Sequence, residues 1–344
     1  MSVHALPRIA IYGAGSVGGY VGARLHDYAR ITFIGRRRIT DAWRLHGLDW
    51  TDLAGQEGHV PGRTLDVQTD PFASAKAHLV LVTVKSGATE TVARELAGVL
   101  APGTPVISLQ NGLHNADLLR AALPGHPVLA GMVPFNVLQR QPGVFHQGSS
   151  GELMCASHPS LAPFTPLFAA AGLPLLARDD MPAVQTAKLL LNLNNAINAL
   201  SSVPLKEELS QRSWRRCLAL AQREALTVFR AAGMQAARLT PLPTRWLPNV
   251  LELPDALFQR VASRMLAIDP VARSSTWEDL QRRRPTEVDA INGEIVQLAA
   301  AHGLSAPINA KLVELVREAE REPRAWQADD LLRQLRHAGA TSSL

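Results

Sequence analysis

Residues 9–22 read IAIYGAGSVGGYVG, an apolar run that ends in three glycines spaced as G-x-G-x-x-G. The run predicts a buried β-strand, and the residues after it continue at helical spacing. In such a unit Gly13 permits a tight turn, Gly15 lets backbone N–H groups approach a pyrophosphate, and Gly18 lets the helix pack against the sheet. The stretch therefore predicts a dinucleotide site formed by Gly13, Ala14, Gly15, Ser16, Val17 and Gly18. The alternative is a strand–helix turn that binds no ligand.

The end of the second predicted strand indicates which dinucleotide binds. A site that prefers NAD usually carries an acid there, about 20 residues after the glycines, to hold the ribose 2′-hydroxyl. Residues 33–38 read FIGRRR and contain no acid. A guanidinium at Arg36 can pair with a 2′-phosphate, so we expect NADPH as the cofactor. The alternative is a solvated basic turn, which is common in an arginine-rich chain.

Short apolar segments alternate with helical patterns through the first half of the chain. Runs such as HLVLVTV (78–84) and TPVISLQ (104–110) are apolar nearly throughout, which is typical of a parallel sheet covered on both faces. Later, helical patterns dominate, over 184–201, 210–232, 255–268, 274–284, 287–302 and 307–320. We predict an α/β protein with an N-terminal Rossmann-type, doubly wound parallel sheet over 1–180 and a C-terminal all-α domain over 181–344. The last residues, GATSSL, are expected to form a loose tail.

Composition limits the class of protein. The 344 residues are 47% hydrophobic, and the two cysteines, Cys155 and Cys217, lie far apart and outside any metal-binding spacing. We therefore expect a reduced, cytoplasmic protein without a metal site. No apolar run approaches the ~20 residues of a membrane span, and no signal peptide is recognisable. The net charge of +5 is spread out and lacks interleaved aromatic residues, which disfavours nucleic acid and suits small anionic ligands.

Three polar residues stand where later predicted strands end, at the edge where parallel sheets bind ligands. Lys85 follows LVLVTV and could meet cofactor phosphate or ribose. Asn111 follows VISLQ and could reach nicotinamide or substrate, although Asn-Gly is also a common turn dipeptide. Asn136 follows GMVPF in the same way.

Residues 184–200, VQTAKLLLNLNNAINAL, place one of only five lysines at the head of an apolar helix rich in asparagine. At about 100° per residue, Lys188, Asn192 and Asn195 fall within one stripe of ~60°, and Asn198 lies roughly 80° from Lys188. Partial burial would disfavour the ammonium and lower the pKa of Lys188 towards values useful for proton transfer. Neighbouring amides can hold substrate oxygens without locking the lysine in an ion pair. The alternative is a lysine whose charge reaches solvent from a helix start.

A second polar cluster lies in RSSTWEDLQRRRPTEVDAINGEIV, with Ser275 and Glu287 as candidate site residues. Both have structural alternatives. Ser275 with Glu278 three residues later fits a capping box. Glu287 follows Pro285 and fits the start of a new helix, where an acid is favoured by the helix dipole.

Taken together, these features resemble the ketopantoate reductase (2-dehydropantoate 2-reductase) family over nearly the whole chain. The resemblance rests on GAGSVGGYVGARL, VTVKSGAT, LQNGLHN, AKLLLNLNNAINAL and SSTWEDLQRRRPTEVDAINGEIV. It implies an N-terminal Rossmann domain, a helical C-terminal domain and an active site in the cleft between them. It also implies reduction of the 2-keto group of ketopantoate by NADPH on the pantothenate pathway.

The resemblance further implies roles for matching residues. Lys188 matches the catalytic lysine, and Glu287 matches a glutamate near that lysine and the cofactor. Ser275 resembles the serine that binds the substrate carboxylate, and Asn136 falls near a position whose backbone contacts cofactor. The expected substrate-binding residues are thus Asn111, Asn192, Asn195, Asn198 and Ser275, and the cofactor-binding residues outside the glycine loop are Arg36, Lys85, Asn111, Asn136 and Glu287.

Two features depart from the family pattern. Ala196 stands where the family usually has a second asparagine, so that Asn195 or, with two inserted residues, Asn198 takes its place. The stretch 234–262 is longer than in compact members. Two alternatives therefore stay open: reduction of another 2-keto acid, and a non-catalytic NADPH-binding sensor. We also expect a homodimer through the helical domain, to which a helix such as 210–232 offers an apolar face.

Overall fold

The computed structural model describes residues 6–261 and 269–341. The chain divides between Met181 and Pro182 into two compact units, called here the N-terminal and the helical unit. The N-terminal unit is built on β-sheets, and the described residues of the helical unit form helices but no strand. The predicted fold class is confirmed.

The main sheet of the N-terminal unit has the strand order of a doubly wound fold. The twelve strands of the unit are β1 Arg8–Tyr12, β2 Arg30–Ile34, β3 Leu48–Thr51, β4 Glu57–Val60, β5 Asp66–Gln68, β6 Leu79–Val82, β7 Val106–Ser108, β8 Val128–Met132, β9 Val137–Gln141, β10 Val144–Gln147, β11 Leu153–Ala156 and β12 Leu175–Arg178. Eight of them pair in the order β12-β11-β8-β7-β6-β1-β2-β5. All neighbours from β5 to β8 are parallel, and β11 pairs antiparallel with β8.

The strand order places a ligand-binding position beside β1. The chain runs from β1 outward through β2 to β5 and then returns to β6, on the other side of β1. In open parallel sheets, ligands bind at such a reversal, beyond the carboxyl ends of the strands. Register is fixed by apolar side chains: Ile11 of β1 lies opposite Phe33 of β2 and Leu81 of β6, and all three are fully buried.

Helices cover this sheet: α1 Ser16–Leu25, α2 Arg37–His46, α3 Thr89–Ala97, α4 Asn115–Ala122 and α5 Thr165–Ala170. A second sheet, β4-β3-β10-β9, was not expected from the sequence. Its strands are short and partly exposed, and β3 pairs with β10, which lies about a hundred residues later in the chain. The sheet therefore could not be predicted from a local sequence pattern. Phe145 of β10 packs against α1, where a Cβ added to Gly19 would lie 2.3 Å from its ring.

The helical unit contains ten α-helices in its described part. They are α6 Met181–Asn192, α7 Asn194–Ser201, α8 Leu205–Ser210, α9 Arg212–Ala231, α10 Leu247–Leu251, α11 Asp255–Val261, α12 Ser275–Gln281, α13 Val288–Ala301, α14 Pro307–Arg321 and α15 Ala328–Thr341. No helix among the described residues is both long and apolar enough to cross a membrane.

The six predicted helices correspond to α6 with α7, α9, α11, α12, α13 and α14, whereas α8, α10 and α15 were not predicted. The helix predicted over 184–201 is interrupted at Leu193, where three asparagines fall within four residues and their amides compete with the backbone for hydrogen bonds. The expected tail was wrong for Gly339–Thr341, which belong to α15. Of the helix predicted over 255–268, residues 262–268 lie outside the described part of the chain, as do the end of the stretch 234–262 and residues 342–344.

Candidate active site

The glycine loop joins β1 to α1 in a conformation that only glycine allows at two positions. Gly13 has a φ of 124°, and its N–H donates to the carbonyl of Ile34 at 2.9 Å. A Cβ added at Gly13 would lie 2.7 Å from the backbone of Thr83, and one at Gly18 would lie 2.2 Å from the carbonyl oxygen of Gly13. Around Gly15, by contrast, no atom lies within 4 Å of the added Cβ. The loop is therefore closed on the protein side and open at Gly15.

The start of α1 fits an anion. Gly15 is the N-cap residue and provides no side-chain hydrogen bond, and the first turn of α1 contains no acidic residue. The N–H groups of this turn and the positive end of the helix dipole are not neutralised by a local carboxylate. Ser16 and Val17 are half-buried beside the exposed Gly15, whereas Ala14 is buried. This arrangement is what a bound pyrophosphate requires.

Arg36 lies next to the glycine loop. A Cβ added at Gly35 would fall 2.4 Å from the Cβ of Ala14, so the end of β2 packs directly on the loop. Arg36 follows as the exposed N-cap residue of α2, whose first turn also lacks an acid. Arg37 pairs with Asp41 at 3.7 Å, but within the described ranges Arg36 has no carboxylate partner. Its guanidinium is available for an anionic ligand.

The ends of β6 and β7 are joined by a polar network that was not predicted from the sequence. The Ser86 hydroxyl donates to the carbonyl of Asn111 at 2.9 Å, and the Asn115 amide donates to Ser86 Oγ at 3.1 Å. Thr89 Oγ1 in turn donates to Asn115 Oδ1 at 2.7 Å. The network holds the backbone carbonyl of Asn111 and the side chain of Ser86, the residue after Lys85. Asn115, four residues beyond Asn111 in LQNGLHN, was the available signal.

Asn136 follows β8, but its backbone is engaged within the N-terminal unit. Its N–H donates to Ser149 Oγ at 2.8 Å, and its carbonyl accepts from the N–H of Gly148 at 2.9 Å. The carbonyl oxygen can accept a second hydrogen bond, so the cofactor contact expected at Asn136 stays a prediction.

In the helical unit, Lys188 lies in the second half of α6, between buried neighbours. Its side chain is half-buried, and no carboxylate pairs with it among the described residues. Burial disfavours its ammonium and lowers its pKa from 10.5 to about 8, as expected from the sequence. Asn192 is buried one turn later on the same helix. The pair keeps the i,i+4 relation predicted for it.

Asn198 is not available as predicted. Its side chain is fully buried, and its amide donates to Glu208 Oε2 at 2.6 Å and to the carbonyl of Val203 at 3.0 Å. Its Oδ1 accepts from the N–H of Ser274 at 2.8 Å. Every hydrogen-bonding atom of the amide group thus has an internal partner, which corrects the substrate-binding role expected for Asn198. Asn195 is half-buried, and its role in place of the second asparagine of the family stays a prediction.

Ser275 is not the N-cap residue of α12, which is the structural role considered for it. Ser274, not Ser275, caps α12, since its Oγ accepts from the N–H of Trp277 at 3.1 Å. The Ser274 hydroxyl also donates to the carbonyl of Asn195 at 3.1 Å, which ties the start of α12 to α7. Glu287 is the half-buried N-cap residue of α13 and makes no capping bond with its side chain. In the described ranges, no group of His, Cys, Asp or Glu side chains is arranged to hold a metal ion.

Comparisons with known proteins show the family of the chain. The family model described as "Ketopantoate reductase PanE/ApbA" matches residues 9–160, and "Ketopantoate reductase PanE/ApbA C terminal" matches residues 180–320. The 2-dehydropantoate 2-reductase of Halobacterium salinarum is 28% identical over 327 residues, which are 92% of this chain and 99% of the relative.

Solved structures show the same fold. The PanE/ApbA family ketopantoate reductase from Ralstonia eutropha JMP134 has a TM-score of 0.77 and 30% identity, over 92% of this chain and 99% of that one. A D-mandelate dehydrogenase solved with NADH and anilino(oxo)acetate has a TM-score of 0.75 and 19% identity, over 92% and 99% of the two chains. Because both halves match the family models and the Ralstonia protein matches along nearly its full length, this chain belongs to the ketopantoate reductase family.

Proposed function

We propose that this chain reduces 2-dehydropantoate, a small 2-keto acid, to pantoate with NADPH, as a step in making pantothenate. Family membership and the names of the relatives support the substrate. The observation that carries the chemistry is Lys188, a half-buried lysine without a described carboxylate partner and with a pKa lowered to about 8. A bound nicotinamide dinucleotide supplies the hydride that the 2-keto carbon accepts.

The N-terminal unit supplies the cofactor-binding residues in this proposal. The N–H groups after Gly15 bind the pyrophosphate, with Gly13, Ala14 and Gly18 shaping the loop and Ser16 and Val17 opening the helix. Arg36 holds the 2′-phosphate, which is the feature that selects NADPH over NADH. Lys85 and Asn111, at the ends of β6 and β7, contact the ribose or nicotinamide side.

Lys188 is the proton donor of the proposed reaction. Near neutral pH it is mostly charged, so it polarises the keto oxygen and stabilises the negative charge that develops there. When the keto carbon gains the hydride, this oxygen takes a proton from Nζ, and Lys188 regains one from solvent. Because the pKa of Lys188 is lowered, giving up the proton costs less than it would for an exposed lysine.

The remaining candidates place the substrate. Asn192 and Asn195 hold the hydroxyl and keto oxygens, and Ser275 holds the carboxylate. Glu287 orients Lys188 and the cofactor. The chain departs from the family pattern at Ala196 and over 234–262. Because both places can change the substrate pocket, the size of the 2-keto acid that the enzyme accepts should be measured.

The test is the initial rate of NADPH oxidation with 2-dehydropantoate and a panel of larger 2-keto acids, with NADH in parallel. We expect selective turnover of 2-dehydropantoate with NADPH. Lys188→Ala should fold and bind NADPH but lose at least about a hundredfold in turnover, the usual contribution of a general acid. Lys206→Ala, which removes an exposed lysine of α8, is the matched control. Unchanged turnover in Lys188→Ala would contradict the assignment, and NADPH binding without turnover of any keto acid would favour a sensor.

A further inference from the structure

A cavity of about 310 Å³ that is open to solvent lies at the surface of the helical unit, and Gln281, Arg283 and Arg324 in its lining are exposed. It adjoins the C-terminal ends of α7 and α12 and the chain just after α14. Its polar lining side chains are Ser202, Gln281, Arg283 and Arg324. Ser275 begins α12, and the cavity adjoins the other end of that helix, about 9 Å away at 1.5 Å per residue. The cavity is thus separate from the predicted substrate residues.

The charge around the cavity is positive and uncompensated. Two guanidinium groups line it, those of Arg283 and Arg324, and no carboxylate does. Arg282, the residue directly after α12, pairs with Glu278 at 3.2 Å. Arg283 and Arg324 have no ion-pair partner in the described part of the chain. Arg324 stacks on the ring of Trp326 at 4.4 Å, which holds the guanidinium plane and leaves its N–H edge for a ligand.

The backbone at this cavity is strained. Across residues 6–261 and 269–341, the only non-glycine residues with positive φ are Ser202 at 58° and Arg283 at 50°, and both line it. Each lies just beyond a helix C-terminus, where glycine normally adopts this left-handed conformation without strain. The helix dipole favours a basic residue here, but Arg282 already meets that preference with ordinary backbone geometry. Non-glycine residues in this conformation are enriched at functional sites, which makes Ser202 and Arg283 candidates for contact with a ligand.

The wall around Ser202 is braced by neighbouring side chains. Trp277 Nε1 donates to Ser202 Oγ at 3.3 Å, and Arg273 Nη1 donates to the carbonyl of Ser202 at 2.6 Å. Since Ser202 Oγ accepts from Trp277, its own O–H can still donate to a ligand. Arg273 stacks on the Trp277 ring at 4.2 Å and so fixes both groups. The cavity therefore presents donors on a rigid support.

We propose that this cavity is a binding site for a small phosphate monoester. Arg283 and Arg324 bind the phosphate oxygens, which match the forked donor geometry of guanidinium groups. The Ser202 hydroxyl and the Gln281 amide complete the donor set. The volume is at the lower end of the range for small-molecule sites, so the organic part of the ligand has only a few carbon atoms. A bound ligand contacts α7 and α12, whose opposite ends carry Asn195 and Ser275.

The test measures binding of glycerol 3-phosphate and inorganic phosphate to the full chain by calorimetry and thermal unfolding, with sodium chloride at equal ionic strength as the reference. The variants are Arg283→Gly and Arg324→Ala. Arg321→Ala is the matched control, because it removes the same charge at an exposed residue nearby that does not line the cavity. These variants also separate this site from the glycine loop, which is intact in all of them.

At ten times the dissociation constant, glycerol 3-phosphate should raise the unfolding temperature of the wild type and of Arg321→Ala by about 2 °C. Arg283→Gly and Arg324→Ala should each weaken its binding at least tenfold. Without ligand, Arg283→Gly should unfold at the same or a higher temperature, because glycine relieves the left-handed backbone. Equal binding by all four proteins would overturn the proposal, as would a response to the ester no larger than that to chloride.

Discussion

Two cationic side chains with different surroundings carry the proposed chemistry. Lys188 is half-buried, and the loss of water around its ammonium lowers its pKa to about 8, so it can release a proton in turnover. Arg36 is exposed, and its planar guanidinium presents several N–H donors in fixed directions. The first residue type suits a proton donor and the second suits phosphate recognition.

Replacing Arg36 should change cofactor choice without changing the reaction. Arg36→Ala should lower kcat/KM for NADPH by about tenfold to a hundredfold, the effect of losing a charge-assisted hydrogen bond, and leave kcat/KM for NADH nearly unchanged. The measurement is the kcat/KM ratio of the two cofactors at fixed ionic strength. Arg94→Ala, at an exposed position of α3, is the control. An equal loss with both cofactors would show that Arg36 does not contact the 2′-phosphate.

At the scale of elements, a buried hydrogen-bond network holds α7, which follows the break after α6, against α8 and the start of α12. The Asn198 amide joins Glu208 of α8 to the N–H of Ser274, and Ser274 in turn bonds to the carbonyl of Asn195. Glu208 is fully buried, and desolvation raises its pKa from 4.5 to about 8. Glu208 Oε1 and Asn194 Oδ1 have no partner among the described residues, and a proton on Glu208 would give the carboxyl a donor for a neighbouring acceptor.

Stability should therefore fall as Glu208 loses its proton. Because its pKa is higher in the folded than in the unfolded chain, the folded state holds this proton more tightly. The free energy of unfolding that it contributes is greatest below about pH 4.5 and is lost as the pH rises to about 8. Thermal unfolding between pH 5 and 9 should show that Glu208→Gln gains stability relative to wild type with rising pH, by on the order of a few kcal/mol.

Two features keep this measurement specific. The Cys217 thiol of α9, which is close enough to Glu208 to sense its charge, stays neutral because burial raises its pKa. Glu207→Gln changes an exposed carboxylate on the same helix and should show no such trend. A constant difference between Glu208→Gln and wild type across this range would mean that Glu208 is ionised throughout.

Local patterns explain what the sequence could predict, and distant pairings explain the rest. The glycine loop, the arginines after β2 and the Lys188–Asn192 pair are each encoded within a few residues, so their spacing predicted the geometry found. The sheet β4-β3-β10-β9 and the Asn198–Ser274 bond join residues far apart in the chain, 76 positions in the latter case. Glu208 could not be selected from sequence, since its importance comes from burial alone.

At the scale of the whole molecule, each unit has its own core, and association of copies stays a prediction. The apolar face of α9, which the sequence predicts as a dimer contact, is packed inside the helical unit, with Cys217, Ala221 and Phe229 buried. Light scattering across a concentration series should give twice the chain mass of 37.2 kDa if the expected homodimer forms. A single-chain mass at every concentration would contradict it.

The outer strands of the main sheet have a consequence for aggregation. One edge is β5, only three residues long, and its Asp66 side chain accepts hydrogen bonds from Thr32 Oγ1 and Gln68 Nε2. The other edge is β12, four residues long and ending at Arg178, which pairs with Asp180. Short edges that carry charge are poor templates for a further strand. The sheet is thus protected against edge-to-edge growth into fibres, and any contact between copies is left to other surfaces.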